Sequence, residues 1–349
     1  MYKKMIILIL LTMVFSELSL AQEPSFAKYG AIDRHVKRTP DSISQNIVFL
    51  HDYLVSIAKT DEDKIRAFYM WIIGNIKYED QVELLFDPNL LFYLGSNNCS
   101  SPVCVLQKRK AVCEGFSKIF EFFCTYSGLE TYSIGGYITK NGALQDRATH
   151  SWNVVKINNE WRFFDLSWAH AILYHSGIKS KTNEFFMVAP EIFILSHLPI
   201  IRMWQFLETP VPLPIFNTGE TQIKTYLKNS TFKTIYNYTD SLVQFNQMSV
   251  AEQRLKTAQE IYKTNPGNKF NLAIEYYRYA RNMQNFNGEI DPINYYRLIK
   301  ARDKMKLAFN LLRSSSEISS QIMCLQIEAE LTKIDKLISN ANSHIKYLK

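Results

Sequence analysis

Three short runs between Ala111 and Trp168 decide how this chain folds: AVCEGF at 111–116, THSWN at 149–153 and WRFFDLSW at 161–168. They set Cys113, His150 and Asp165 in that order among aromatic residues. A thiol, an imidazole and a carboxylate are the parts of a nucleophile, its base and the group that orients the base. From Cys113 to Tyr126 the apolar residues Phe116, Ile119, Phe120, Phe123 and Cys124 keep the spacing of one buried helix face, and Ser127-Gly128 closes the run. Cys113 therefore begins a helix, where the unpaired N–H groups of the first turn favour the thiolate. VVKI and WRFF flank Asn158-Asn159, a turn pair between two apolar runs, which predicts a β-hairpin. With a two-residue turn, Lys156 faces Trp161, Trp152 faces Asp165 and His150 faces Ser167. Alternation then puts His150, Trp152 and Asp165 on one face, with His150 and Asp165 diagonal neighbours roughly 7–8 Å apart at the backbone.

The same residues carry a resemblance. The Cys-Glu-Gly-Phe helix start, the His-Ser-Trp-Asn strand and the Trp-Arg-Phe-Phe-Asp strand resemble the core of the transglutaminase-like superfamily of papain-type folds. IRAFYMWIIGNIKYED at 65–80 resembles its upstream helix, and FFMVAPEIFILSHLP with MWQFL, within 185–207, resembles a segment of its kyphoscoliosis-peptidase-like branch. The resemblance spans roughly residues 30–217. It implies Cys113 as nucleophile, His150 as base and Asp165 as orienter. After Asp165 that branch usually continues Pro-Thr-Trp-Gly, whereas this chain has Leu166, Ser167, Trp168 and Ala169, which bears on the substrate side of the site. Gln107, six residues before Cys113, stands where papain-type sites place an oxyanion-hole donor. A surface glutamine beside Lys108, Arg109 and Lys110 is the competing reading. Trp152 is expected to pack beside the three residues and Trp168 to wall the cleft.

The expected class is α+β: a helix carrying Cys113 packed on an antiparallel sheet carrying His150 and Asp165, followed by an all-α helical bundle. The 349 residues, 47% of them hydrophobic, suffice for two ordinary domains. Residues 1–21, MYKKMIILILLTMVFSELSLA, have a basic start, a short apolar run and a Ser-Leu-Ala end, the pattern of a cleaved signal peptide. No later stretch is long and apolar enough to span a membrane, so a secreted or periplasmic location is expected. Domains are read as 22–219, catalytic, and 220–349, helical. Four prolines at 199, 210, 212 and 214 and then Gly219 mark the boundary.

Charge separates along the same line. Residues 220–349 carry 19 basic and 12 acidic side chains, whereas residues 22–219 carry 19 and 20. The basic excess reads as a solvated helical surface, and no nucleic-acid partner is expected. Of the five cysteines, Cys99 and Cys104 lie in one polar loop, but no disulfide is claimed. Cys99 and Cys104 lack the second pair a structural metal site needs, so neither metal nor cofactor is expected.

Elsewhere, Pro24 to Pro40 reads as a polar arm, Ser42 to Ile57 as helical, and Thr60 to Asp63 as a capping box opening a helix. Thr131 to Ile138 reads as a strand whose Gly135-Gly136 permits close backbone approach. His170, His175 and His197 lack a spaced carboxylate or thiol and read as structural or exposed. In the helical part, Leu298, Ala301, Met305, Ala308 and Leu312 form one stripe, and Cys324, Ile327, Leu331, Ile334, Ile338, Ala341, Ile345 and Leu348 a second. Residues 258–280 read as helix, Asn-Pro-Gly-Asn break and helix, faintly resembling a tetratricopeptide unit.

The function expected is a thiol enzyme acting on peptide or amide bonds of a protein or peptide substrate, with the acyl group passing to water or to an amine. Two alternatives stand beside it: a non-catalytic scaffold of the same fold, and a protein-binding module that uses the C-terminal helices.

Overall fold

The computed structural model describes residues 26–79, 100–140, 143–144, 150–229, 235–284 and 291–347. The leader read at residues 1–21, Cys99 and most of its loop, and the side chains of Ile345 and Leu348 lie outside the described residues. Packing divides the chain into two units, one ending at Trp71 and the other running from Ile72 onward.

In the first unit, a 3-10 turn at Phe26–Tyr29 leads into α1 (Gly30–Lys37), and α2 (Ile47–Val55) and all but the last turn of α3 (Asp61–Asn75) follow. Residues 26–37 are thus helical, not the polar arm expected from composition. Ile32 and Val36, one turn apart, are buried, and the almost wholly buried Arg66 holds Asp33 through two bonds of 2.9 and 3.0 Å. A partner 33 residues away creates that helix's inner face, which is why local spacing did not reveal it. The capping box expected at α3 is present, with Asp63 N–H donating to Thr60 Oγ1 (3.1 Å) and Thr60 N–H to Asp63 Oδ2 (3.2 Å).

The second unit holds the sheet. β1 (Lys77–Tyr78) and β2 (Lys110–Ala111) form a short parallel pair on either side of α4 (Pro102–Lys108). α4 replaces the end of the loop expected to reach Cys104. Ser101 caps it by accepting from Cys104 N–H (3.3 Å), and Pro102 occupies its first turn. Cys104 is disulfide-bonded, a bridge the sequence reading did not claim, while Cys113, Cys124 and Cys324 are in no disulfide. α5 runs from Cys113 to Tyr126, as its apolar stripe predicts.

Then come β3 (Thr131–Lys140), β4 (Ala143–Leu144), β5 (His150–Ile157) and β6 (Glu160–Phe164), in the antiparallel order β4-β3-β5-β6. The β5–β6 turn has two residues, Asn158 and Asn159, with φ of 51° and 64°. Asn tolerates this left-handed conformation, and it suits a hairpin turn. The register is the one expected, Lys156 opposite Trp161 and Asn153 opposite Phe164. The ladder ends there. Asp165 leaves the strand to cap α6 (Leu166–Ser176), so the further pairs expected, Trp152 with Asp165 and His150 with Ser167, do not form as ladder pairs.

After the short α7 (Pro190–Phe193), β7 (His197–Pro199) joins the free edge of β3, with Gly136 opposite Pro199 and Ile138 opposite His197. One face of the sheet buries Ile134, Trp152, Val154, Phe163 and Trp204. The other receives α5 through polar contacts: Asn153 Nδ2 donates to Ser117 O (3.0 Å), Ser151 Oγ to Ser117 Oγ (3.1 Å) and Ser133 N–H to Glu121 Oε1 (2.9 Å). These directional bonds hold the helix at one position along the strands, which apolar packing alone fixes less tightly.

Past α8 (Leu213–Phe216) the described elements are all helices: α9 (Glu220–Lys228), α10 (Tyr238–Gln247), α11 (Val250–Thr264), α12 (Lys269–Met283), α13 (Pro292–Leu312) and α14 (Ile318–Tyr347). The stripe from Leu298 to Leu312 is buried and meets Met323, Ile327, Ile334 and Ile338 of α14. The Asn-Pro-Gly-Asn break falls between α11 and α12 as expected.

Candidate active site

Each predicted residue reaches the site by a local device. Cys113 is the first residue of α5, after Val112 at the cap, and is 8% exposed. His150 opens β5 and is also 8% exposed, while Asp165 at the end of β6 is fully buried. His150 Nε2 donates to Asp165 Oδ2 at 2.6 Å. Cys113 is among the groups that raise the proton affinity of the same ring. With Nε2 taken by the carboxylate, Nδ1 is the ring nitrogen that remains.

Asp165 is held by more than His150. Its Oδ1 accepts from Ser167 Oγ (2.8 Å) and from the Trp168 backbone N–H (3.0 Å), the latter being its role as helix cap. Ser167 stands where the resembling branch has threonine, so the Leu-Ser-Trp-Ala departure retains a hydroxyl donor. Oδ2 accepts a second imidazole, His197 Nε2, at 3.1 Å. His197 is fully buried and belongs to the site, contrary to the structural-or-exposed reading. Its signal was the Ser-His-Leu-Pro run, but only the pairing of β7 with β3 carries it to Asp165. His170 is structural as expected, meeting Ile73 O through Nδ1 (2.8 Å) and accepting the Tyr78 N–H through Nε2 (3.3 Å), and His175 is exposed.

Aromatic rings close the cluster. Trp168 lies 5.6 Å from the His150 ring and 4.6 Å from that of His197, and Trp152 stands edge-on to His197 at 5.1 Å. Gln107 is exposed in the last turn of α4, and among the described contacts it makes none with Cys113, His150 or Asp165.

Burial and charge set the protonation states. Burial works against a charged His150, yet the Asp165 carboxylate, by charge and hydrogen bond, and then Cys113 outweigh it and push its pKa up to about 10. Burial likewise opposes the charge on Asp165, but His150 and then His197 hold its carboxyl well below the usual range. For His197 burial dominates over the attraction of Asp165, and its pKa is lowered to about 4. The site therefore holds an imidazolium, a carboxylate and a neutral second imidazole near pH 7. Burial pushes the Cys124 thiol up, and that of Cys324 also.

The ligand atoms of His150, Asp165 and His197 lie within 4.8 Å of one another, a spacing that brings a metal ion to mind. The 2.6 Å between His150 Nε2 and Asp165 Oδ2 is that of a charge-assisted hydrogen bond. Two ligands on one tetrahedral zinc ion, each about 2.0–2.2 Å from the metal, stand about 3.3–3.6 Å from each other, so the 2.6 Å pair is a hydrogen bond and not two ligands of one ion.

A helix opened by cysteine and packed on an antiparallel sheet that carries histidine and aspartate is the α+β fold of the transglutaminase and papain type. Residues 49–166 match the family model described as the transglutaminase-like superfamily. The chain is 28% identical to human kyphoscoliosis peptidase over 176 residues, 48% of this chain and 25% of that protein. It is 27% identical to hillarin of Drosophila melanogaster over 183 residues, 47% of this chain and 21% of that one. The chain thus spans about a quarter of the length of these curated relatives. Among solved structures a TGase aligns at 18% identity with a TM-score of 0.27, covering 45% of this chain and 36% of that one. Over residues 49–166 the chain is therefore similar to transglutaminase-like domains, and kyphoscoliosis peptidase is among the proteins it resembles.

Proposed function

We propose that this chain is an exported thiol enzyme that cleaves or transfers acyl groups at peptide or amide bonds of a protein substrate. The observation that carries the reading is the buried His150–Asp165 bond, with Cys113 among the groups that raise the proton affinity of the same imidazole. With the thiol's proton resting on His150, the thiolate sulfur of Cys113 attacks the substrate carbonyl carbon while the C=O electron pair moves to oxygen. Backbone N–H groups at the very start of α5, ahead of those of Gly115 and Phe116 that Val112 O accepts, are the donors this reading assigns to that oxyanion. The pair returns, the C–N bond breaks, and the departing nitrogen takes the proton from His150, leaving an acyl-thioester on Cys113. Water or an amine then attacks the thioester as His150 takes its proton, and the released thiolate is ready again. Asp165 keeps the ring oriented and stabilises the imidazolium.

Export through residues 1–21 is part of the proposal, and the disulfide at Cys104 supports an oxidising compartment. Alkylation tests the reading. Iodoacetamide should label Cys113 faster than Cys124 and Cys324, whose thiols burial pushes up. His150→Ala should slow labelling of Cys113 selectively, Asp165→Asn less so, and Cys113→Ser should fold normally and leave the amide bonds of exported proteins untouched. A Cys113 that reacts no faster than in an unfolded control, unchanged by His150→Ala, leaves the fold as a scaffold instead.

A further inference from the structure

We infer that His197 is a positioning residue of this site: a neutral second imidazole on the carboxylate that sets how tightly His150 holds its proton. The inference rests on the triad reading above and adds a fourth member, supplied by β7.

The tautomer follows from the partners. A carboxylate only accepts, so the 3.1 Å contact with Asp165 Oδ2 requires the proton of His197 on Nε2. Nδ1 is then an acceptor, and Ser196 Oγ, 2.7 Å away, donates to it. The ring has one orientation. Phe193 stacks on it at 4.0 Å, Trp168 lies at 4.6 Å and Trp152 at 5.1 Å, so the hydrogen bond is made in a site closed by rings. Phe185 is the remaining ring near it, at 6.1 Å. The titratable groups that face His197 among the described residues are Asp165 at the end of β6 and His150 on β5. Among the described residues these two are the groups whose charge acts on its ring.

The two imidazoles share one oxygen. A donor on Oδ2 draws negative charge away from the bond to His150, so the imidazolium is stabilised less than by a carboxylate with no second donor. In turnover His150 must take a proton from the thiol and then release it to the departing nitrogen, so its proton affinity has to lie between two demands. Asp165 raises that affinity and His197 limits it. Ser167 and the Trp168 N–H occupy the other oxygen, so the carboxylate keeps its place when the second imidazole is removed.

The test is the titration of His150, followed by NMR of full-length protein carrying 15N-labelled histidine, in the native chain and in His197→Leu, His197→Gln and Ser196→Ala. His197→Leu removes the donor, and the His150 midpoint is expected to rise by about one pH unit. Glutamine restores an N–H near the same position, and its midpoint is expected close to native. Ser196→Ala removes the donor to Nδ1 without touching the core rings, loosening His197 on the carboxylate, and is expected to move the midpoint in the same direction as leucine, by less. It keeps the test decisive should the leucine variant fail to fold. Native-like midpoints in all three variants, or equal shifts for leucine and glutamine, overturn the inference. Failure of the triad reading has a different signature, unselective labelling of Cys113 in the native protein itself.

Discussion

Asp165 gathers donors from three parts of the chain: His150 on β5, Ser167 and Trp168 in the turn that follows it, and His197 on β7. A carboxylate with no exposure survives as a charge only with this many partners. The two histidines then give stability opposite dependences on pH. His150, raised to about 10, contributes stability that is full below about pH 6.5, the unfolded value, and is lost as pH rises through 10. His197, lowered to about 4, acts on the acid side: the unfolded chain takes a proton from about pH 6.5 downward that the folded chain refuses, so stability falls as pH drops towards 4. Asp165 adds a further loss below the unfolded carboxylate value of about 3.9. Thermal unfolding across pH should therefore give the highest midpoint near pH 6.5, about the ordinary histidine value. His197→Leu should flatten the acid arm and His150→Gln the alkaline arm. Identical curves for all three proteins would contradict these assignments.

Among the elements, β3 bears the most on the site, because it pairs with β5 on one edge and with β7 on the other. Gly136 is where both meet it, opposite His150 and opposite Pro199. A Cβ there would come within 2.3 Å of Leu198 O and 2.4 Å of a Trp152 ring carbon. The close approach expected for Gly135-Gly136 is thus a demand of Gly136, since at Gly135 the nearest atom is 3.6 Å away. Gly136→Ala should destabilise the fold by about 1–3 kcal/mol, the range for overpacking a filled core. It should also slow Cys113 labelling, because β7 and Trp152 both have to move. Gly135→Ala should leave labelling near native. Denaturant unfolding and alkylation rates check the pair, and equal effects at the two positions would refute the account.

At the scale of the whole molecule, the composition boundary at Gly219 and the packing do not coincide. α10 lies beyond that boundary, yet Leu242 is buried in one cluster with Trp161, Trp204 and Phe206, and Tyr238 packs against Phe206. Asn246 Nδ2 also donates to Tyr132 OH (2.7 Å). We propose that residues 22–219 fold and keep the site assembled, but less stably than a fragment carried on to Met248, by about 2 kcal/mol for the lost burial of Leu242 and its neighbours. Limited proteolysis should cut first within 208–222. First cleavage within 111–168, or equal unfolding midpoints for the two fragments, would show the boundary to be misplaced. Much of this was legible in the chain alone. The helix opened by Cys113, the Asn158-Asn159 hairpin with its register, and the stripe of α13 each follow from local periodicity and turn chemistry, which a segment displays wherever it lies. His197 was not legible, nor was the buried Arg66–Asp33 pair that makes a helix of the expected arm. His197 meets Asp165 across 32 residues, and only the pairing of β7 with β3 brings them together. A contact made by distant segments leaves no period in either of them, so tertiary structure alone decided which of the unassigned histidines joined the site.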